Sequence, residues 1–216
     1  MKFKGVIFDL DGTLVNSLED LADSMNIVLE KLGFPTHELK AYKHLTGKGI
    51  KNLVRDALPD SNKNEKFINE CFDSFIEVYR NNCINKTKPY VGIVELLNEF
   101  SSRNIKISVF SNKADELTKK IILNLFPKIK FSEIMGLTEE KYRKPSPRTA
   151  LLISKKTGIK PEEMIYVGDT DIDMQTANNA EMYAVGVLWG FRTKEELIAN
   201  GAKHVINNPL DLVDIL

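Results

Sequence analysis

One short stretch constrains this chain more than any other: an apolar run that passes directly into two carboxylates. Val6-Ile7-Phe8 is apolar, with two β-branched residues, and reads as a buried strand. Asp9 and Asp11 follow at once, and Gly12 can supply a turn before a helical pattern begins. Two carboxylates at the end of a buried strand repel one another, and desolvation raises the pKa of each. Solvent, a cation or a catalytic role could account for the pair. In an open α/β sheet, the carboxyl ends of the strands are where ligands bind.

The rest of the chain divides by pattern. Ser17-Leu18-Glu19-Asp20 predicts a helix start, with Ser at the cap and an acid three residues on. Leu18, Leu21, Ala22, Met25, Leu29 and Leu32 continue at helical spacing, and Gly33 and Pro35 end the run. Ile50, Leu53, Val54, Ala57 and Leu58 form a second stripe; Phe67, Ile68, Cys71, Phe72, Phe75, Ile76 and Tyr79 form a third. Cys71 and Met25 therefore read as core. These helices are short, and together they predict a small bundle. From Tyr90 the pattern changes. Val94, Leu96, Leu97 and Phe100 predict a helix, and Ile105 to Phe110 a strand. A helix stripe from Leu117 to Leu125 and a short strand over Phe131 to Met135 follow. Pro147 opens a helix that runs to Gly158. Met164 to Val167, Tyr183 to Val187 and His204 to Ile206 complete the strands. Repeated strand–helix units predict an α/β, Rossmann-like parallel sheet. The core would comprise residues 1–15 and 86–216, with an inserted helical domain at 16–85.

Composition excludes several classes. Lys plus Arg equals Asp plus Glu at 30 each in 216 residues, so no basic field argues for nucleic acid. Cys71 and Cys83, with no nearby Cys/His cluster, make neither a zinc site nor a disulfide framework, and a reducing cytoplasm is the expected setting. No apolar run is long enough to span a bilayer. Asp9 and Asp11 interrupt the N-terminal apolar run too early for a signal peptide.

Three strand ends carry polar groups: Asp9/Asp11, Ser111/Asn112 and Asp169/Asp173. Lys144 stands in the loop Lys141-Tyr142-Arg143-Lys144-Pro145. Each has an ordinary explanation. Lys144 could be a solvated side chain, Ser111-Asn112 a helix cap, and Asp173 an acid in a helix's first turn. Together at one sheet edge they form a site.

Asp9-Leu10-Asp11-Gly12-Thr13-Leu14 resembles the first motif of the haloacid-dehalogenase-like phosphohydrolases. Ser111, Lys144 and Gly168-Asp169-Thr170-Asp171-Ile172-Asp173 match the remaining motifs in order. The resemblance implies that Asp9 attacks phosphorus and forms an aspartyl-phosphate. Asp11 would protonate the leaving oxygen and then activate water. Ser111, assisted by Asn112, and Lys144 would bind phosphate. Mg²⁺ would be held by Asp9, Asp169 and the Asp11 carbonyl, with Asp173 close by through water; oxygen-only ligands favour it over zinc. The helical insertion resembles the mobile cap of one subgroup. The loop His44-Leu45-Thr46-Gly47-Lys48-Gly49 resembles the cap loop of phosphoglycolate phosphatases, with Lys48 a candidate anion contact. A helix-start loop explains it equally well. Gly190-Phe191-Arg192-Thr193 also looks like that subgroup, whereas Asn16, Val91 and Arg148 depart from it.

The resemblance implies a Mg²⁺-dependent phosphatase for a small phosphorylated metabolite, 2-phosphoglycolate foremost, acting as a monomer or homodimer without nucleic acid or membrane. A β-phosphoglucomutase-like phosphomutase, and phosphatases of pyrophosphate, nucleotides or sugar phosphates, share the motifs. A dehalogenase is disfavoured because halide needs no proton from Asp11. A binding or scaffold protein that kept only the fold is the remaining alternative.

Overall fold

The structure is a computed structural model and describes residues 2–46 and 49–216. Gly47 and Lys48, in the loop that the sequence links to substrate selection, lie outside the described residues. The chain divides into two compact units, Met1–Val15 with Pro89–Leu216, and Asn16–Lys88.

In the first unit, strand β1 (Gly5–Phe8) is buried along its whole length, as a strand covered on both faces must be. It pairs in parallel with β4 (Lys106–Ala114) and β6 (Met164–Gly168), and Phe8 lies level with both Val109 and Val167. β5 (Glu133–Leu137) lies outside β4; β7 (Tyr183–Val187) and β8 (His204–Ile206) lie outside β6. The sheet order is therefore β5-β4-β1-β6-β7-β8, and every pairing in it is parallel. The chain builds outward from β1 in one direction, then returns to build outward in the other. Open sheets bind ligands where the order reverses in this way, and here that point lies at the carboxyl ends of β4, β1 and β6.

Helices make the crossovers. α5 (Ile93–Ser102) precedes β4, and α6 (Asp115–Leu125), α7 (Arg148–Thr157), α8 (Asp171–Asn179) and α9 (Lys194–Ala199) link the later strands. Ile7, Phe110, Ala150, Ile153, Tyr166 and Met174 belong to one buried cluster, so the strands and helices share a core. In α5 the buried face is Ile93, Leu96, Leu97 and Phe100, which completes the i, i+3, i+4, i+7 stripe; Val94, expected inside, is exposed. β4 runs four residues past Phe110, with an irregularity in its pairing to β5 between Phe110 and Ala114. Ser111 and Asn112 thus sit within the strand's last turn of chain rather than beyond it.

The second unit holds α1 (Leu18–Lys31), α2 (Leu39–Leu45), α3 (Ile50–Ala57) and α4 (Glu65–Asn82). α1 buries Leu21, Met25 and Leu29, while α4 buries Ile68, Cys71, Phe75 and Tyr79. The sequence shows no stripe for α2 because only Tyr42 of it is buried. β2 (Val15–Asn16) and β3 (Lys88–Pro89) pair as a two-stranded sheet where the chain passes between the units.

Asp20 differs from its expected place in a capping arrangement. Ser17 stands at the N-cap of α1 without a side-chain cap bond. The buried Asp20 carboxylate instead accepts from Lys86 N at 3.0 Å, Thr87 N at 2.9 Å and Thr87 Oγ1 at 2.6 Å, and so ties α1 to the end of the same unit. Asp20→Ala would leave a buried N–H and hydroxyl without their acceptor. It is expected to lower stability by about 2–3 kcal/mol in urea unfolding; a loss below about 0.5 kcal/mol would show that those groups find other partners.

Candidate active site

The three central strands deliver the polar residues by register. Asp9 is one residue beyond β1, and its N–H still donates to Val167 O at 2.9 Å. Asp169 is one residue beyond β6, and Asp173 lies in the first turn of α8. One carboxylate oxygen from each of Asp9, Asp169 and Asp173 lies within 4.8 Å of the others, and all three residues are buried. Lys144 arrives from the loop before α7. Its Nζ lies 2.8 Å from Asp9 Oδ1 and 2.6 Å from Asp173 Oδ1.

Each of these side chains is held in place. Asp169 accepts from Thr13 Oγ1 and from Phe191 N, both at 2.9 Å. Asp173 Oδ2 accepts from Thr170 N at 3.1 Å and Thr170 Oγ1 at 2.6 Å, a capping box that fixes the start of α8. The Asn112 side chain spans the Lys144 backbone: Lys144 N donates to Asn112 Oδ1 at 2.8 Å, and Asn112 Nδ2 donates to Lys144 O at 3.4 Å. Asn112 thereby orients the lysine loop, which is a different duty from assisting at phosphate. Ser111 Oγ accepts from Lys113 N at 3.1 Å, so its hydroxyl proton is left to donate. Asp11 Oδ1 accepts from the buried Lys113 Nζ at 2.6 Å.

The close approach needs glycine at three places: at Gly12, at Gly168, and at Gly190, where a Cβ would stand 2.3 Å from Asp169 Cβ. Gly12 has φ +89°, and a Cβ there would stand 2.3 Å from Asp169 Oδ2. A Cβ on Gly168 would stand 2.2 Å from Asp173 Cβ.

The charges do not balance. At an effective dielectric near 20, each Lys144 contact, at 2.8 and 2.6 Å, is worth about 6 kcal/mol. Each carboxylate pair within 4.8 Å repels by at least about 3 kcal/mol. Three repulsions therefore offset most of two attractions, and the desolvation of all four groups is left over. Burial first, then Asp173, pushes the Asp9 carboxyl up to about 7 against the pull of Lys144. Burial, Asp173 and Asp9 push Asp169 well up. Burial alone would drive the Lys144 ammonium down, but Asp173 and Asp9 outweigh it and hold the pKa well above its ordinary value. The cluster is short of positive charge, and all its donor atoms are oxygen.

Residues 6–187 match the haloacid dehalogenase-like hydrolase family. The chain belongs to that family. It is 33% identical to a phosphoglycolate phosphatase from Aquifex aeolicus, covering 98% of this chain and 95% of that protein. It is 31% identical to a phosphoglycolate phosphatase from Chromobacterium violaceum, covering 99% and 96%. A solved structure from Lactobacillus delbrueckii subsp. bulgaricus superposes with a TM-score of 0.91 at 28% identity, over 100% of this chain and 98% of that one.

Around this cluster the structure adds residues to which the sequence analysis assigns no role. Thr13 and the Phe191 backbone hold Asp169, Thr170 holds Asp173, and Lys113 holds Asp11. Thr13 lies inside the first motif, so its signal was present; the Phe191 N–H leaves none, because any residue supplies a backbone donor.

A carboxyl whose folded pKa is raised holds more protons in the folded than in the unfolded state between the two values, so stability falls as pH rises through that window. For Asp9 the window runs from the ordinary carboxyl value of 3.8 to about 7. Without divalent cations, Asp9→Asn is therefore expected to raise stability at pH 8 by on the order of 1–3 kcal/mol and to have little effect near pH 4. Chemical denaturation in chelator at both pH values checks this; destabilisation at pH 8 would contradict the charge imbalance.

Proposed function

We propose that this chain is a Mg²⁺-dependent phosphatase that hydrolyses a small phosphate monoester through an aspartyl-phosphate on Asp9, with 2-phosphoglycolate its substrate. The observation that carries the reading is the pairing of buried Asp9 with Lys144 beside two further buried carboxylates at the sheet's switch point.

The donor set fits Mg²⁺: buried, anionic and made of oxygen. Asp9, Asp169 and the Asp11 carbonyl would hold it, with Asp173 reached through water, since Asp173 already accepts from Lys144 and twice from Thr170. When bound, the cation neutralises charge between Asp9 and the phosphate dianion.

The remaining steps fall to the chain's own residues. The free Asp9 carboxylate oxygen attacks phosphorus, and the phosphorus–oxygen bond to the alcohol breaks. Asp11 gives its proton to that departing oxygen. Asp11, now a carboxylate, takes a proton from water as the water oxygen attacks the phosphoryl group. The bond to Asp9 breaks and inorganic phosphate leaves. Lys144 and the Ser111 hydroxyl would hold the equatorial phosphoryl oxygens, where charge gathers in the transition state. The Asn16–Lys88 unit would act as the cap that selects substrate, with Lys48 contacting its second anionic group, and a reducing cytoplasm would suit the buried thiols of Cys71 and Cys83.

Phosphate release from a panel of 2-phosphoglycolate, sugar phosphates, nucleotides and pyrophosphate tests the reading. With Mg²⁺, 2-phosphoglycolate is expected to stand above the rest, and Asp9→Asn to lose about a thousandfold or more. Broad weak release would remove the substrate assignment. Release from none, or release that survives in Asp9→Asn, would overturn the mechanism.

A further inference from the structure

Asp169, a direct ligand in the Mg²⁺ reading, is gripped at both carboxylate oxygens from two separate loops. Thr13 Oγ1 donates to Oδ1 and Phe191 N to Oδ2, each at 2.9 Å. Those two loops are themselves joined. Trp189, two residues beyond β7, donates its indole Nε1–H to the backbone oxygen of the same Thr13 at 2.9 Å, across 176 positions of chain. The three bonds close a ring that runs from Asp169 through Thr13 and Trp189 to Phe191 and back. Gly190, between the tryptophan and the phenylalanine, lets the ring close tightly: a Cβ there would stand 2.3 Å from Asp169 Cβ and 2.5 Å from Gly12 O. The register of β6 and β7 brings the loops together, since Gly168 lies level with Gly186 and residues just past either strand share one crevice.

A partly buried indole N–H usually finds some acceptor, and here that acceptor belongs to the residue whose hydroxyl holds Asp169. A carboxylate offers about four lone-pair sites, so the two grips leave each Asp169 oxygen a site for a cation. They also hold it against repulsion, because the Asp9 and Asp173 carboxylates, within 4.8 Å, push it away until a cation arrives. A ligand fixed beforehand need not be ordered when the cation binds, and such pre-organisation strengthens binding. We propose that Trp189 is a positioning residue for Mg²⁺: by tying the Thr13 loop to the Gly190 segment, it holds Asp169 in its ligating place and so sets the affinity of the cation site. The inference rests on Asp169 as a Mg²⁺ ligand and extends that reading to a residue outside the carboxylate cluster.

Trp189→Phe keeps an aromatic ring and removes the donor. Partners that orient metal ligands typically set about tenfold or more in affinity; Trp189 acts one bond further out, so the Mg²⁺ dissociation constant is expected to rise by at least about threefold. Titration with Mg²⁺ alone, followed through backbone amide NMR signals, reads it in wild type and variant, and the same spectra show whether the variant is folded. A tryptophan that only filled space would lower the melting temperature in chelator and leave the dissociation constant unchanged. The second readout needs no substitution. Coupling is reciprocal, so Mg²⁺ must strengthen the Trp189 bond by the factor with which that bond strengthens Mg²⁺ binding. The chain has a single tryptophan, so its indole N–H gives one NMR signal. Exchange of that proton with water should slow by at least about threefold on saturation with Mg²⁺. A smaller rise in the dissociation constant of folded Trp189→Phe, or a smaller slowing of indole exchange, would overturn the proposal; if the variant does not fold, the exchange measurement decides alone. Failure of the wild type to bind Mg²⁺ would bring down the cation reading and this inference with it, whereas equal affinity in wild type and variant removes this inference alone.

Discussion

The Lys144 ammonium, wedged between Asp9 and Asp173 in the interior, is the contact on which the site depends. A buried ion pair is weak evidence for stability, because desolvation takes back most of its attraction. Here the set is worse than neutral, with three carboxylates facing one ammonium. Selection for stability alone would not retain it. The proposed reaction asks for unspent negative charge toward a cation and a fixed positive charge toward a phosphate dianion, and this cluster has both.

The fold brings those groups together by simple means. β1 lies between β4 and β6, and the three strands end at nearly the same level. A residue just beyond any of them falls into the same crevice. Gly12 and Gly168 then allow Asp169 and Asp173 to close in where a Cβ would collide. Clamps complete the arrangement: Thr13 and Phe191 N on Asp169, Thr170 on Asp173, and Asn112 on the Lys144 backbone. Such supporting bonds keep reacting groups from drifting, and small displacements at this distance cost large factors in rate.

Much of this is legible in the sequence because strand ends and phosphate chemistry leave local marks. The apolar run before Asp9, the second before Gly168-Asp169 and the Pro147 helix start each announce themselves within a few residues. The parallel sheet follows from their alternation. What is not legible depends on pairings between distant positions. Asp20 reads as part of a helix cap, and only the folded unit brings Lys86 and Thr87 to it. Asn112 reads as a phosphate contact or a cap, and its hold on Lys144 spans 32 residues. α2 escaped because a helix with one buried side chain has no stripe to show.

The central claim is that Asp9 itself carries the phosphoryl group. Rapid acid quench of the enzyme turning over a ³²P-labelled phosphate ester with Mg²⁺, followed by peptide mapping, tests it directly. The account predicts a hydroxylamine-labile label on the peptide containing Asp9, formed and discharged at rates no slower than turnover. Steady turnover with no label, or a label on any other residue, would contradict it.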